Sequence, residues 1–311
     1  MEALKRIPAY FTRDFQDWET FELFKNTLYV FLFVNTLILM PIATEMYDFH
    51  GMADFRPWNL EIPWYKQFSF AITNILSHPA TNTRPWIIWF FIGGQLLFLA
   101  LGFFNRIPRI SAVMIYFFTA NLFLKGSMML TGGEVLIYIL LVYMAFIQFT
   151  SRKLKEGGAE LSFSPIQNLL NNTFFLACKI QVCYLYFFST VYKLYDEHWI
   201  GGDALMYVSR IEHYQNAPFA FVFSDNPTVA MIATYFALAY QLCFPVLVWT
   251  NKLKTPLLIV GVIFHLGIAF GMGIFGFGII MCLTYLMFLN KSHTLWIRKK
   301  LRMPPVKSSS V

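Results

Sequence analysis

The strongest structural signal in the chain is residues 168–199, which read NLLNNTFFLACKIQVCYLYFFSTVYKLYDEHW. The stretch is mostly apolar as far as residue 194, and a helix needs about 20 such residues to cross the hydrocarbon core of a bilayer. Lipid offers the backbone no hydrogen-bond partners, so a segment that crosses it must be helical. The sequence therefore predicts a transmembrane helix over 168–194.

The composition of the whole chain supports this prediction. Hydrophobic residues make up 57% of the 311 residues and charged residues only 13%, whereas a soluble domain carries about 25% charged residues. The net charge is +7, but the basic residues lie in short runs between apolar stretches, which is typical of a membrane protein. We therefore expect a lipid bilayer as partner and no nucleic-acid binding.

Seven other segments are also apolar enough to suggest membrane spans. They are 21–45, 86–104, 110–130, 134–150, 228–250, 256–273 and 275–290. The last two could be two short helices or one bent helix, and two are favoured because one helix of that length would overshoot the bilayer. The sequence thus predicts an all-α, polytopic membrane bundle of about eight transmembrane helices at 21–290, with an N-terminal segment at 1–20 and a basic tail at 291–311.

The basic residues also predict how the bundle is oriented. Most of them lie in five segments, at 5–13, 106–109, 152–155, 252–254 and 291–307. Eight spans would place all five segments on one side, and basic residues favour the cytoplasmic side. We therefore expect both termini in the cytoplasm. The long segments at 47–85 and 195–227 would lie outside, where their aromatic residues suit the headgroup layer or a lid over a cavity.

Lys193 is the main candidate for chemistry, because it closes the predicted span at 168–194. Ionisable groups in spans are costly and are functional candidates, and a desolvated lysine can act as a general base. Gly201 and Gly202 allow the chain to turn back and bring Asp203 or Glu197 near the amine. The alternative is an interfacial turn with solvated charges.

Three ring-bearing residues near Lys193 are candidates for substrate binding. Tyr186 lies on the same stripe of the helix as Lys193, since the two are seven residues apart. His198 and Trp199 follow in the turn. A ligand held by these rings would lie against the lysine.

A second group of candidates lies where the third and fourth predicted spans meet. Lys125 ends one span and Glu134 begins the next. A carboxylate at a helix start is favoured by the helix dipole and the exposed amides, so Glu134 could simply cap its helix. Alternatively, Glu134 orients or pairs with Lys193 or Lys125.

His265 and Gln241 are polar residues inside the predicted seventh and sixth spans. Such residues commonly form hydrogen bonds between helices, but both are also candidates for substrate binding. The chain has no Cys-x-x-Cys motif and no His cluster, so no metal site is predicted.

Residues 184–208, YLYFFSTVYKLYDEHWIGGDALMYV, resemble the signature of the HTTM family. This membrane domain is shared with vitamin K-dependent gamma-glutamyl carboxylase and with the sporulation-delaying protein B (SdpB) family. Three other stretches fit in sequence order. They are TGGEVLIYILLVYMAF (131–146), YQLCFPVLVW (240–249) and FHLGIAFGMGIFGFGIIMCLTYLMFL (264–289). The resemblance covers about 20–290.

The resemblance implies a role for Lys193. In the carboxylase, the lysine in the matching Lys-Leu…Trp…Gly context is the base that deprotonates vitamin K hydroquinone, which implies a quinone or hydroquinone as cofactor. The carboxylase has a supporting histidine near the start of the matching fourth span. This chain has Glu134 there, so any support would come from Glu134. Many family members carry Glu where this chain has Gln241.

Two functions are compatible with these residues. One is a carboxylase-like membrane enzyme that uses Lys193 as a base on a quinone-like or peptide substrate at the outer face, in the maturation of a secreted peptide. The other is a non-catalytic membrane partner for the maturation or export of a secreted peptide or lipid. The carboxylase has a large lumenal domain in addition to its membrane domain. A stand-alone membrane domain resembles the SdpB branch more closely, and this resemblance implies a bacterial plasma membrane.

Overall fold

The computed structural model describes residues 11, 13–47, 86–125, 131–148, 165–212 and 217–302. Within these ranges every regular element is a helix, and none is a strand. The predicted outer segment from residue 48 to 85 and the end of the tail after residue 302 lie outside the described residues. The predicted all-α class is therefore confirmed for the part of the chain that can be examined.

The first half of the described chain forms six helices. They are α1 (Trp18–Leu39), α2 (Ala43–Tyr47), α3 (Trp86–Phe103), α4 (Pro108–Lys125), α5 (Gly132–Gln148) and α6 (Pro165–Lys193). A short 3-10 turn at Met40–Ile42 joins α1 to α2.

The second half forms seven helices, of which the first three are short. They are α7 (Glu197–Gly201), α8 (Ala204–Val208), α9 (Ala217–Phe223), α10 (Pro227–Leu247), α11 (Lys254–Gly271), α12 (Phe275–Thr284) and α13 (Lys291–Lys300). A 3-10 turn at Tyr285–Phe288 extends α12.

Six of the eight predicted segments each coincide with one helix, within a few residues at the described ends. The segment predicted at 21–45 is divided into α1 and α2 by the 3-10 turn, and the segment predicted at 275–290 consists of α12 and the 3-10 turn that follows it. The last two segments are separate helices, since α11 ends at Gly271 and α12 begins at Phe275. The chain turns between them at Gly273, whose φ of +74° suits glycine. One long bent helix is therefore excluded. The basic tail begins with α13.

Four helical stretches are long and apolar enough to cross a membrane. They are Trp18–Met46, Ile166–Lys193, Pro227–Leu247 and Lys254–Gly271. Three others are apolar but shorter: Ile88–Phe103, Gly132–Ile147 and Phe275–Phe288. Four of the described helical stretches thus have the length and composition of membrane spans.

The described residues divide into two compact units. The N-terminal unit comprises those before residue 17 and those from 25 to 175, and the C-terminal unit comprises 17–24 and those from 176 onward. In the N-terminal unit, α3 and α4 pack through Phe91, Ile92 and Phe118, which are all buried. The side chain of Lys25 is buried in the same unit and donates to Asn105 Oδ1 at 2.7 Å.

The C-terminal unit is built from the end of α6 and the helices that follow it. Helices α11 and α12 pack against each other, and α8 packs against α10. Lys179 of α6 forms an ion pair with Asp17 at 3.1 Å, and Thr20 is 3.1 Å from Thr294 of α13. These contacts attach residues 17–24 to the unit that contains Lys193.

Candidate functional site

The C-terminal unit contains a cavity of about 390 Å³, which is within the usual range for small-molecule sites. Its wall is mostly aromatic and aliphatic and includes Phe219, Phe236, Phe264 and Phe277. Six of the lining residues carry polar side-chain groups suited to hydrogen bonding: Tyr186, Ser189, Lys193, Trp199, Gln241 and His265. A cavity of this kind favours an apolar ligand that carries a few hydrogen-bonding groups.

Lys193 lies at the C-terminal end of α6 and is partly buried. Its Nζ donates to Ser189 Oγ at 2.6 Å and lies 3.5 Å from the Ser189 carbonyl oxygen. The same nitrogen is 5.0 Å from the ring centroid of Trp199, which is within the range of a cation–π interaction. The amine is thus held between a hydroxyl and an aromatic ring at the cavity wall.

The turn after α6 explains why Trp199 lies beside Lys193. Asp196 caps α7, since its Oδ1 accepts from the backbone N–H groups of His198 at 2.9 Å and Trp199 at 3.3 Å. Gly202 ends α7 in the left-handed region, with a φ of +82°, where glycine is favoured. The sequence Asp-Glu-His-Trp-Ile-Gly-Gly therefore encodes a one-turn helix that holds the indole in place.

The carboxylate expected to orient Lys193 has another partner. Asp203 Oδ1 lies 3.1 Å from His198 Nδ1, and both side chains are well exposed. The His198 ring also packs against the ring of Tyr207 in a tilted arrangement, with 4.0 Å between centroids. Neither Asp203 nor His198 is among the described residues that line the cavity. The structure thus brings Trp199 to the amine and pairs Asp203 with His198.

Short helices α7 and α8 are fastened to α10 by two hydrogen bonds. Tyr235 Oη donates to the Ile200 carbonyl at 2.8 Å, and the backbone N–H of Leu205 donates to Thr234 Oγ1 at 3.3 Å. Helix α10 also carries Gln241 and contains Pro245. The turn that holds Trp199 is therefore attached to the helix that carries Gln241.

A chain of three tyrosine hydroxyls lies at the His265 side of the cavity. Tyr240 Oη is 2.9 Å from Tyr285 Oη, which is 2.5 Å from Tyr186 Oη. Tyr186 Oη is in turn 2.6 Å from His265 Nε2. The chain joins α6, α10, α11 and the 3-10 turn after α12, so it also packs these elements together.

Gly261 of α11 makes room for this tyrosine chain. A Cβ atom at this position would overlap the hydroxyl of Tyr240 and lie 2.5 Å from that of Tyr285. Any larger residue would push the two rings away. The close approach of these two tyrosines to α11 thus depends on a glycine.

Two polar atoms of the cavity wall have no hydrogen-bond partner among the described residues. They are Gln241 Oε1 and His265 Nδ1, and both are buried. His265 as a whole is only 1% exposed. Both residues were predicted to bind substrate, and the structure places them on the same cavity as Tyr186 and Lys193.

Glu134 belongs to the N-terminal unit and caps α5. Its Oε2 accepts from the Thr131 N–H at 2.8 Å and from the Thr131 hydroxyl. This is the capping role that the sequence left open beside a pairing with Lys193 or Lys125. Lys125 ends α4, and its side chain lies outside the described part of the structure.

Sequence reasoning missed Ser189, Tyr240 and Tyr285. Ser189 had a usable signal, because it precedes Lys193 by four residues and therefore lies on the same face of α6. Tyr240 and Tyr285 had none, since they reach Tyr186 only through packing between distant helices.

Comparison with known proteins identifies the family. Residues 27–293 match the model of the HTTM domain. Neither the curated proteins nor the solved structures gave a match. The family match covers most of the 311 residues and agrees with the four helices that can cross a membrane. The chain is therefore an integral membrane protein that belongs to the HTTM domain family.

Proposed function

We propose that this protein is a membrane-embedded enzyme in which Lys193 acts as a general base on a lipid-soluble substrate. The observation that carries the proposal is the position of the amine on a mostly apolar cavity, held by Ser189 and Trp199. An amine that is partly removed from water and faces an apolar site can accept a proton. The substrate class that fits is a quinone-like molecule in its hydroquinone form, or a peptide that presents a hydroxyl group.

The proposed step is a proton transfer from a substrate O–H group to Nζ. The O–H bond breaks, an N–H bond forms, and the electron pair remains on the substrate oxygen. Ser189 Oγ accepts a hydrogen bond from the amine and so directs its lone pair. Trp199 stabilises the ammonium that forms, because the face of an indole attracts a cation. Each group thus favours the product of the transfer.

The proposal includes a location for the reaction. Eight spans with both termini in the cytoplasm would place the end of α6, and hence Lys193, near the outer face of a bacterial plasma membrane. The apolar helical stretches and the distribution of basic residues support this topology. A site there could take a ligand from the outer leaflet and act in the maturation of a secreted peptide.

A probe with two ionisable hydroxyls can test the base. The protein in lipid nanodiscs is mixed with 2,6-dihydroxynaphthalene, whose ionised and neutral forms absorb differently. We expect wild type to bind part of the probe in the ionised form at neutral pH. Lys193→Met should bind it only as the neutral form, and Lys193→Arg should give much less ionised probe because a guanidinium cannot accept a proton.

The control is Lys179→Met, which removes a lysine from the same helix. Lys179 is paired with Asp17 and does not line the cavity, so this variant should ionise the probe as wild type does. If Lys193→Arg ionises the probe as well as wild type, Lys193 supplies only a positive charge and the base role is wrong.

A second function is a non-catalytic membrane partner of a secreted peptide or lipid. It is favoured by the contacts of Lys193, since Ser189 and Trp199 would also hold a permanently protonated lysine. Mass spectrometry of co-purified molecules separates the two functions. A quinone or other redox lipid present with wild type and absent with Lys193→Met supports the enzyme, whereas a peptide retained by both proteins supports the partner.

A further inference from the structure

The unpaired atoms of Gln241 and His265 indicate what kind of ligand the cavity takes. Buried polar atoms in proteins nearly always form hydrogen bonds, yet Gln241 Oε1 and His265 Nδ1 have none within the described structure. Both residues line the cavity whose wall is otherwise mostly apolar. Because both atoms lie on the same cavity, one ligand bound there could supply a hydrogen-bond partner to each of them.

The tyrosine chain determines what His265 can offer to a ligand. A hydroxyl can donate one hydrogen bond and also accept, so the chain has two possible directions. If Tyr186 donates to Nε2 of His265, the ring proton is on Nδ1, and Nδ1 is a donor. If Nε2–H donates to Tyr186, Nδ1 is an acceptor, and Tyr240 at the far end can point its hydroxyl at the Leu257 carbonyl, 3.5 Å away.

The imidazole is neutral in both directions, and only the positions of the protons differ. His265 can therefore present either a donor or an acceptor without acquiring a charge in the apolar wall. Such a site suits a hydroxyl group, which itself both donates and accepts.

We propose that Gln241 and His265 form a recognition site for a hydroxyl group of an apolar ring ligand, with Gln241 Oε1 accepting the hydroxyl proton and His265 Nδ1 completing the hydrogen bonding. This inference rests on the proposed function only in that the same ligand reaches Lys193. A ligand that carries only carbonyl or ether oxygens leaves Gln241 Oε1 unpaired, and buried sites discriminate strongly against such a mismatch.

The recognition site and Lys193 are separated along α6. Tyr186, which contacts His265, is seven residues before Lys193 on the same face of the helix, a distance of about 10 Å along the axis. The rings of Tyr186 and Tyr240 lie 5.9 Å apart, so α10 carries Gln241 near the Tyr186 end. The ligand therefore needs hydrogen-bonding groups at opposite ends of its ring system, one for each site.

The test compares two probes that differ only in the second hydroxyl. Affinities of 2,6-dihydroxynaphthalene and 2-naphthol are measured for the full chain in nanodiscs by titration calorimetry. For each protein, the affinity of the diol is divided by that of 2-naphthol. We expect this ratio to be about tenfold higher in wild type than in Gln241→Met, in which the acceptor is absent. Both probes meet the same lipid in every sample, so the comparison of the two ratios cancels their different partitioning.

Three variants make the result specific. Gln241→Glu keeps an acceptor oxygen and should keep most of the gain. Gln95→Met makes the same change as Gln241→Met in the N-terminal unit, where Gln95 is buried and bonds to Thr119, and should leave the gain unchanged. His265→Phe removes Nδ1 and should reduce the affinity of the diol relative to 2-naphthol about threefold. This variant provides an independent test if Gln241→Met does not fold.

The inference is wrong if the diol has the same advantage over 2-naphthol in wild type, Gln241→Met and His265→Phe. Its failure is distinguishable from failure of the proposed function. Lys193→Met should abolish probe ionisation whether or not the inference holds. Adding Gln241→Met to that variant should still weaken the binding of 2-naphthol, whose single hydroxyl can then turn to Gln241.

Discussion

The two ends of the cavity are built in different ways. At the Lys193 end, the amine is held by Ser189, four residues earlier, and by Trp199, six residues later. At the other end, Tyr186, Tyr240, His265 and Tyr285 come from four separate segments and bond to one another across the helix interfaces. The first end is local in sequence, and the second exists only in the packed unit.

Because of this difference, changes to the proposed base and changes to the proposed recognition site should affect the stability of the unit differently. A locally built base can be altered with little effect on the packing of the helices. The tyrosine chain also joins the elements of the unit, so changes there should lower stability and recognition together. The following four variants test that distinction, in order of decreasing expected effect.

Gly261→Ala should have the largest effect, because its Cβ would displace Tyr240 and Tyr285. We expect the free energy of unfolding to fall by about 3 kcal/mol and the advantage of the diol probe to disappear. Thermal unfolding in detergent, followed by circular dichroism, measures the first effect. Gly93→Ala on α3 is the control, since a Cβ at that position meets open space and Gly93 does not line the cavity, and it should be near neutral.

Tyr285→Phe removes the central hydroxyl of the chain and leaves two others with one partner fewer. The expected loss of stability is about 1.5 kcal/mol, with a weaker diol advantage and unchanged probe ionisation. Tyr184→Phe on α6, which changes an exposed tyrosine, should be silent. If Tyr285→Phe also leaves both the stability and the diol advantage unchanged, the chain of tyrosine hydroxyls does not couple recognition to stability.

Asp196→Ala removes the cap of α7 and should loosen Trp199 while leaving the tyrosine chain intact. A lost cap costs about 1 kcal/mol, so the ionised fraction of the bound probe should fall while the diol advantage persists. Asp196→Asn retains an acceptor and should restore most of the ionisation. Loss of the diol advantage in Asp196→Ala would mean that the two ends are not independent.

Trp199→Phe should have the smallest effect, because a phenyl ring still attracts a cation but less strongly than indole. A difference of about 0.5 kcal/mol corresponds to roughly a twofold decrease in ionised probe. Absorption spectra of the bound probe can detect this decrease. Trp296→Phe, at an exposed position of α13, serves as the control, and an equal decrease there would contradict a specific role for Trp199.

Most of the fold was predictable because long apolar runs leave few alternatives to helices. The helix ends were less certain. Helix α6 was predicted to start at residue 168 but starts at Pro165, where proline is well suited to a first helical turn because that turn needs no N–H donor. The separation of α11 and α12 was predicted from length alone and is confirmed.

The site was predictable only where it is local. Lys193 and Trp199 were found because they lie within one turn-containing stretch. Asp203 was expected to reach Lys193, but Asp196 and Gly202 define the turn, and Asp203 pairs with His198. Tyr186 and Tyr285 are 99 residues apart, and no local pattern predicts that their hydroxyls meet.

The two hydrogen bonds between α10 and the short helices make a mechanical linkage. Pro245 has no N–H to offer the carbonyl of Gln241, so α10 can bend most easily where its recognition residue lies. A tilt of α10 at this point would move Tyr235 and Thr234. Ile200 and Leu205, which are hydrogen-bonded to these two residues, would then move as well. A ligand seated on Gln241 would thereby adjust the indole over Lys193, which hydrogen–deuterium exchange would register as joint protection of 197–208 and 234–241.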